Sequence, residues 1–181
     1  MKIRTILSVC TFLMAALAGS AQPDTAKISK NALAYADSLV KADAFGNWSS
    51  YADLAPASVI KYYGGKDGFI THVSVCRLKT TSEIQEAAPE LRLITLETRK
   101  EQWQCEIRLS RYFHKEDKQF HLITYLIGQS LDEGETWKYF DVSYNSVANI
   151  IYMFPDIMDD IAINEPAVLS QEQEDKLAHN K

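Results

Sequence analysis

The sequence predicts an α+β domain in which helices come first and an antiparallel sheet follows. From about residue 25 to residue 45, apolar side chains recur at spacings of three and four, which is the period of an amphipathic helix. From residue 91 onward, apolar and polar side chains alternate, which is the period of a half-buried strand. Polar turns at residues 114–119 and 132–134 separate the strands, so we expect a meander of neighbouring antiparallel strands.

Four helical segments are expected before the sheet. The first spans residues 25–45 and stops at Gly46; a second, short segment lies between Asn47 and Pro56. A third spans residues 57–63 and ends at two glycines, which adopt the left-handed C-cap conformation at little cost. A fourth should begin with Asp67 as its cap, and the acidic stretch 80–90 should be a connector. The expected buried stripe of the fourth helix consists of Phe69, Ile70, Val73, Cys76 and Leu78.

Four strands are expected in the second half. They are residues 91–98, residues 102–110 with one polar face, residues 120–128, and residues 136–142. The third is apolar on both faces and should therefore be a central strand that packs on two sides. After Ser146 we expect one helical turn or a covering segment that ends at Pro155, and then an acidic tail over residues 156–181. In that tail, residues 170–173 either cap a short helix or belong to a frayed end.

The N-terminus has the features of a secretory signal peptide. Lys2 and Arg4 precede an apolar run of about 12 residues, which is too short to span a bilayer. Gly19 and Ala21 occupy the −3 and −1 positions of a cleavage site, so residues 1–21 should be removed on export to the periplasm or the outside. A lipoprotein signal ending at Cys10 is the less favoured alternative, because the preceding residue should be small and because cleavage there would split the apolar run.

Composition restricts the classes of partner. Without the predicted signal peptide the chain has 17 basic and 24 acidic residues, a net charge of −7. This balance argues against nucleic acid, which needs a clustered basic face, and against binding to an anionic membrane surface. No stretch after residue 21 is long and apolar enough to span a bilayer, so we expect no membrane insertion. The 160 remaining residues suffice for one domain with its own core. Residues 64–66 lack the flanking glycine and Ser/Thr of a phosphate-binding loop, and we expect no cofactor.

Cys76 and Cys105 remain after the predicted cleavage, and the sequence leaves their state open. In an oxidising compartment they can form a disulfide that closes a loop of about 30 residues and contributes roughly 3 kcal/mol. Alternatively, both are buried free thiols that pack as small apolar side chains. The cysteines and histidines have no spacing typical of a metal site, so no bound metal is expected.

The most specific local pattern is Ser-Leu-Asp-Glu-Gly-Glu-Thr-Trp over residues 130–137. It resembles the Asp-box of bacterial sialidases, S-x-D-x-G-x-T-W, at all five fixed positions. These positions are Ser130, Asp132, Gly134, Thr136 and Trp137. Sialidases carry several copies on a six-bladed propeller, and this chain is far too short for that fold. We therefore interpret the motif as a structural hairpin turn, in which an Asp side chain binds backbone amides and Trp137 anchors the next strand.

A second resemblance extends over residues 25–155. Residues 34–43 (AYADSLVKAD), Asn47-Trp48 and residues 63–70 (YGGKDGFI), followed by a strand meander, are similar to the NTF2-like (SnoaL-like, cystatin-like) superfamily, and in particular to secreted bacterial members. The resemblance implies that the helices pack on a strongly curved antiparallel sheet and form a cone with an internal pocket. This fold hosts isomerases, dehydratases and binding modules, so it does not determine the function.

The resemblance implies that an enzyme of this kind would place an Asp, His or Tyr inside the cone. The candidates on strands are Tyr112, His121, Tyr125, Tyr139 and Asp141, and the four aromatic ones are the expected ligand-binding residues. His121 and Tyr125 are four residues apart on one strand and share a face, so they would form an acid–base pair if that face lined the pocket. Alternatively, His121 faces solvent or has a structural role.

Three functions are compatible with these observations. The preferred one is an exported, non-catalytic binding or accessory domain whose cone holds a small apolar or amphipathic ligand. The second is a lyase or isomerase that uses His121 and Tyr125. The third is an interaction module that forms a homodimer through the outer face of its sheet.

Overall fold

The computed structural model describes residues 24–179, so the predicted signal peptide at residues 1–21 lies outside the described residues. The described part is an α+β fold in which helices precede a curved antiparallel sheet of five strands, which confirms the predicted α+β class and the order of helices before strands. No helix within residues 24–179 is long and apolar enough to cross a membrane.

Five helices of the described part precede the sheet, and the first four lie close to the predicted bounds. Helix α1 spans Thr25–Ala44, and the Asp24 side chain caps it by accepting hydrogen bonds from two backbone amides. Helix α2 spans Trp48–Asp53, with Asn47 as its cap, and helix α3 spans Ala57–Tyr62. Helix α4 spans Lys66–Leu78. The buried stripe of α1 runs through Ile28, Ala32, Ala36, Leu39 and Val40 and continues to Asp43, which is the one charged residue on it.

Helix α4 and the following segment differ in three details from the prediction. The cap of α4 is Gly65, so Asp67 lies inside its first turn. Only Phe69 and Val73 of the expected stripe are fully buried, and Leu78 is 83% exposed because the helix ends there, beyond the edge of the core. The stretch expected to be a connector contains a short helix, α5 (Ser82–Glu86), which packs against the second strand.

Strands β1 (Glu90–Arg99), β2 (Gln102–Lys115) and β3 (Lys118–Ser130) form the antiparallel meander. Strands β2 and β3 pair over their whole length, from Trp103↔Ser130 to Lys115↔Lys118. The turn between them is therefore two residues long and not the predicted six. Glu116 and Asp117 both have positive φ, 49° and 61°, which is the geometry whose twist matches the flanking strands and lets them pair up to the turn.

Two short strands share the other edge of β3. Strand β4 (Lys138–Asp141) pairs with residues 126–129 of β3, and strand β5 (Ala167–Ser170) pairs with residues 120–123. β3 is thus the central strand, as its apolar pattern predicted. Between β4 and β5 the chain forms a 3-10 turn (Val147–Asn149) and a one-turn helix, α6 (Ile150–Met153), near the predicted position.

The C-terminal segment covers the face of the sheet that the helices leave free. Gln104 and Glu106 lie on this outer face, which is the polar face of the predicted strand, yet they are 0% and 1% exposed. The Gln104 amide bonds the backbone of Asp156 and Met158, and Glu106 accepts a hydrogen bond from Asn164. Strand β5 and helix α7 (Gln171–His179) continue this cover. The predicted tail is therefore ordered over residues 167–179, because β5 completes its hydrogen bonds on β3 and α7 packs beside it.

Candidate functional site

A pocket of about 270 Å³ opens between the helices and the helix-facing side of the sheet. We call it the Asp141 pocket; its wall includes Asp43 from α1, Arg77 from α4, and Thr124 and Asp141 from β3 and β4. These residues meet there because Leu109↔Thr124 and Leu126↔Asp141 are register pairs, and paired residues of antiparallel strands point to the same face. The pocket thus gathers side chains that lie up to about a hundred residues apart in the sequence.

The first of its two carboxylates is neutralised. Asp43 lies at the end of the buried stripe of α1 and forms an ion pair with Arg77, at 2.5 Å, in which both side chains are largely buried. Tyr144 donates a second hydrogen bond to Asp43 at 2.6 Å. Burial and then the nearby Asp43 charge raise the pKa of the Tyr144 phenol, so Tyr144 is a hydrogen-bond donor here and not a phenolate.

The second carboxylate, Asp141, has no cationic partner among the described residues. It accepts hydrogen bonds from the Tyr51 hydroxyl at 2.9 Å and from the backbone amide of Ser143 at 2.8 Å. Burial raises the pKa of the Asp141 carboxyl, and the charge of Asp43 adds to this, against the effect of the hydrogen bonds from Ser143 and Tyr51. A buried carboxyl whose pKa is raised in a pocket is a typical proton donor or acceptor of a functional site.

A third polar group in this pocket lacks a partner. Thr124 is 2% exposed, and its hydroxyl oxygen is buried without a hydrogen bond to any described residue. Buried hydroxyls are nearly always hydrogen-bonded, because an unmade bond costs about 1–3 kcal/mol. Thr124 thus borders the Asp141 pocket with a hydroxyl whose hydrogen-bonding capacity is unused among the described residues.

The four aromatic residues predicted to bind a ligand do not line this pocket. His121 and Tyr125 do share a face, but Tyr112↔His121 and His121↔Leu169 are register pairs on the outer face, under the C-terminal segment. The His121 ring is buried, stacks on Tyr112 at 4.3 Å and pairs with Glu174 of α7, while its second nitrogen has no partner among the described residues. Tyr139 points toward the helices, where it is buried and donates to the Ala32 carbonyl. The face of His121 therefore does not border the Asp141 pocket, and the acid–base role of His121 and Tyr125 stays a prediction.

The turn at residues 130–137 has the predicted internal hydrogen bonds. Asp132 accepts from the Thr136 amide at 2.9 Å and from the Thr136 hydroxyl at 2.6 Å, and Ser130 accepts from the Gly134 amide at 2.9 Å. Although burial acts in the opposite direction, the bonds from Thr136 and Ser130 lower the pKa of Asp132. Trp137 is fully buried and donates to the Gly134 carbonyl, so this turn contributes to the core and not to the Asp141 pocket.

Cys76 and Cys105 are both free thiols, so of the two alternatives the disulfide is not formed. Cys105 is buried beside Gly128 and Tyr139, and burial raises the pKa of its thiol. Cys76 lies 3.8 Å from the Nε2 atom of His72, which also lies 2.6 Å from the Tyr144 carbonyl oxygen. Because a carbonyl only accepts, that nitrogen carries the hydrogen and does not act as a base toward Cys76. Within residues 24–179 no cluster of His, Cys, Asp and Glu is suited to a metal ion.

The sequence singled out Asp141 but not Asp43, Arg77 or Thr124. Asp43 had a recognisable sign, since it continues the apolar stripe of α1 at positions where a charge is costly unless paired. Arg77 lies at the end of an ordinary amphipathic helix, and Thr124 lies in an apolar strand where threonine is common. Only the register and the helix packing bring these residues together.

Comparison with known proteins adds no relative: no family model, no curated protein and no solved structure matches the chain. The function is therefore inferred from the geometry and chemistry of the Asp141 pocket.

Proposed function

We propose that this chain is an exported binding domain of the NTF2-like type that holds a small molecule in the Asp141 pocket. Export is supported by the charged, apolar and small-residue segments of residues 1–21. The NTF2-like assignment is supported by the order of helices and strands and by a pocket between the helices and a curved sheet. Pockets of a few hundred Å³ with a small number of convergent polar groups are typical of small-molecule sites.

The observation that carries this proposal is the state of two buried groups that border one pocket. Within the described part of the chain, the Thr124 hydroxyl has no hydrogen-bond partner and the Asp141 carboxyl has no cation to compensate its burial. Both features cost stability, and a fold without a ligand gains nothing from either. A bound molecule that accepts from Thr124 and interacts with Asp141 would offset both costs.

A pocket-filling variant tests the proposal. Leu122 lines the Asp141 pocket, so Leu122→Trp should fill it, whereas Leu131→Trp adds the same side chain at an exposed turn position. A small-molecule fragment library is titrated into both variants and the wild type while backbone amide resonances are recorded by NMR. We expect fragments that shift the resonances of Thr124 and Ser143 in the wild type and in Leu131→Trp but not in Leu122→Trp. The proposal is abandoned if no fragment shifts those resonances, or if Leu122→Trp binds as the wild type does.

A second candidate function is acid–base catalysis at the same pocket. It is favoured by the raised pKa of Asp141, because a carboxyl that titrates closer to neutral pH both donates and accepts protons efficiently. In this role Asp141 would exchange a proton with a bound carbon acid, while Tyr51 holds the carboxyl in place. Incubation of a panel of ketones with the protein in D₂O, followed by mass spectrometry, should show deuterium uptake that disappears in Asp141→Asn. Equal uptake with and without the protein would exclude this role for the panel tested.

The other two functions inferred from the sequence receive less support from the geometry. A lyase or isomerase that uses His121 and Tyr125 would need substrate access to a face that β5 and α7 cover. A homodimer through the outer face of the sheet would have to displace the segment that bonds to Gln104 and Glu106. Sedimentation at micromolar concentration checks the second point, and we expect a monomer.

A further inference from the structure

We propose that the ligand of the Asp141 pocket is a small organic monoanion, whose carboxylate binds Arg111 and Thr124 and whose apolar part contacts Leu122 and Ile84. This proposal rests on the proposed binding function and names the chemical class of ligand for the same site. Three features of the pocket support this ligand class: the charges that are already paired, the position of the unpartnered Thr124 hydroxyl, and the apolar part of the wall.

Among the described residues that border the pocket, one half-buried cation has no counter-ion. Three cationic side chains border it: Arg77, Lys79 and Arg111. Arg77 is neutralised by Asp43, and Lys79 is solvent-exposed at the rim. Arg111 is half-buried, and no described residue forms an ion pair or hydrogen bond with its guanidinium. A partly desolvated guanidinium without a counter-ion attracts an anion more strongly than an exposed one does, because less water screens the charge.

The free guanidinium and the free hydroxyl lie on the same face of neighbouring strands. Arg111 pairs with Leu122 and Thr124 pairs with Leu109, so Arg111 and Thr124 are diagonal neighbours across β2 and β3. Both border the Asp141 pocket. A planar guanidinium donates two parallel hydrogen bonds to a carboxylate, and a hydroxyl at this spacing supplies a third donor. Arg111 and Thr124, which lack partners within residues 24–179, are thus the donors that one carboxylate needs.

The remaining wall argues for a single negative charge and an apolar body. Asp43 and Asp141 border the same space, so a second negative charge on the ligand would meet repulsion without a free cation to compensate it. Burial raises the pKa of Asp141, and its protonated form would tolerate one anion and donate to it. Leu122, Ile84 and Pro166 supply the apolar part of the wall. A volume of about 270 Å³ restricts the ligand to the size of a small metabolite.

Three probes that share one aromatic ring test the charge preference of the pocket in the unaltered protein. Benzoate, benzamide and phenylphosphonate share one ring and differ in charge: one negative charge, none, and up to two at pH 7.5. Their affinities are measured by NMR titration of the Thr124 and Ser143 amides. We expect benzoate to bind at least about tenfold more tightly than benzamide, which is the effect of a charge-assisted hydrogen-bond pair. Phenylphosphonate should bind more weakly than benzoate.

Two variants and one control assign the donors. Arg111→Gln should weaken benzoate binding by about tenfold or more and leave benzamide binding unchanged within about twofold. Thr124→Val keeps the shape and removes the hydroxyl, so it should weaken benzoate binding severalfold. Arg92→Gln is the control, because it removes the same charge from β1 at a position that pairs with Arg108 on the outer face. It should leave the affinity for benzoate unchanged.

The outcomes distinguish this inference from the binding function on which it rests. If benzamide binds as tightly as benzoate at Thr124 and Ser143, the pocket is a binding site but the anion assignment is wrong. If phenylphosphonate binds most tightly, the ligand is a dianion and the restriction to one charge is wrong. If Arg92→Gln weakens benzoate binding as much as Arg111→Gln does, the effect is a general charge effect and Arg111 is not the donor. If none of the probes and no library fragment shifts these resonances, the binding function itself fails.

Discussion

Replacement of Gly134 by alanine tests whether the turn at residues 130–137 is a structural element held against α1. Gly134 has a φ of +86°, and a Cβ atom built there would lie 2.7 Å from the Cγ2 atom and 2.8 Å from the Cγ1 atom of Ile28. Carbon atoms in contact prefer about 3.5–4.0 Å, so Ile28 or the turn would have to move. The variant therefore combines an unfavourable backbone conformation with a steric overlap in the core.

The two contributions can be separated with Gly64, which provides a matched control. Gly64 has a similar φ of +79°, but nothing lies within 4 Å of the Cβ position. Gly64→Ala should therefore cost only the left-handed conformation, about 1–2 kcal/mol. Gly134→Ala should cost that amount plus about 1–3 kcal/mol for overpacking. Both variants lose the same backbone freedom in the unfolded chain, so this effect cancels in the comparison.

Urea denaturation followed by tryptophan fluorescence measures both free energies of unfolding. We expect Gly134→Ala to be about 1–3 kcal/mol less stable than Gly64→Ala, and the double variant Gly134→Ala/Ile28→Ala to be more stable than the sum of the single variants predicts. The reasoning is refuted if the two glycine variants lose equal stability, or if Ile28→Ala gives no favourable coupling with Gly134→Ala. In either case the close approach of the turn to α1 would not be a stabilising feature of the fold.

Three further variants probe the pocket and the C-terminal cover. Because the pKa of Asp141 is raised in the fold, ionisation of this carboxyl destabilises the folded state. The wild type should therefore lose stability relative to Asp141→Asn as the pH rises from about 4 through the raised pKa. Urea titrations that show a pH-independent difference between the two proteins would contradict this. Arg77→Met leaves the buried Asp43 carboxylate without its cation and should lower the free energy of unfolding by about 3–5 kcal/mol. A loss below about 1 kcal/mol in the same assay would mean that solvent screens the Arg77–Asp43 pair. Glu174→Ala removes the partner of His121, so hydrogen exchange should accelerate in α7. The matched control Glu172→Ala removes only an exposed pair with Lys176 and should not have this effect. Equal exchange in the two variants would show that the His121 contact does not hold the helix.

The order and type of most elements could be predicted because local patterns determine them. Helix α1 was predicted to within one residue at its C-terminal end, since its apolar stripe and its stop at Gly46 are both local features. The short turn at Glu116 and Asp117 was missed because neither residue is a glycine or asparagine, the usual residues at positive φ. Strand β5 was missed because a four-residue segment has too few side chains to establish a period, and it forms only where the edge of β3 is free beyond β4.

The site was harder to predict than the fold. The alternation of side chains divides the residues of a strand between its two faces. It does not say which of the two faces meets the helices. The sequence therefore placed His121 and Tyr125 together correctly and could not place them on the outer face. In the same way, the alternation of β2 identified Gln104 and Glu106 as polar-face residues but did not show that residues 156–164 cover them.

The sequence by itself determined the α+β class, the order of helices before strands, and the turn whose Ser130, Asp132 and Gly134 bond to one another. These features depend on residues within a few positions of each other, where the period and the turn chemistry act directly. Only the tertiary structure decided which side chains meet in the Asp141 pocket. Asp43 and Asp141 approach each other because α1 packs on a sheet whose register is set by long-range strand pairing. No local pattern in a single sequence encodes that distance.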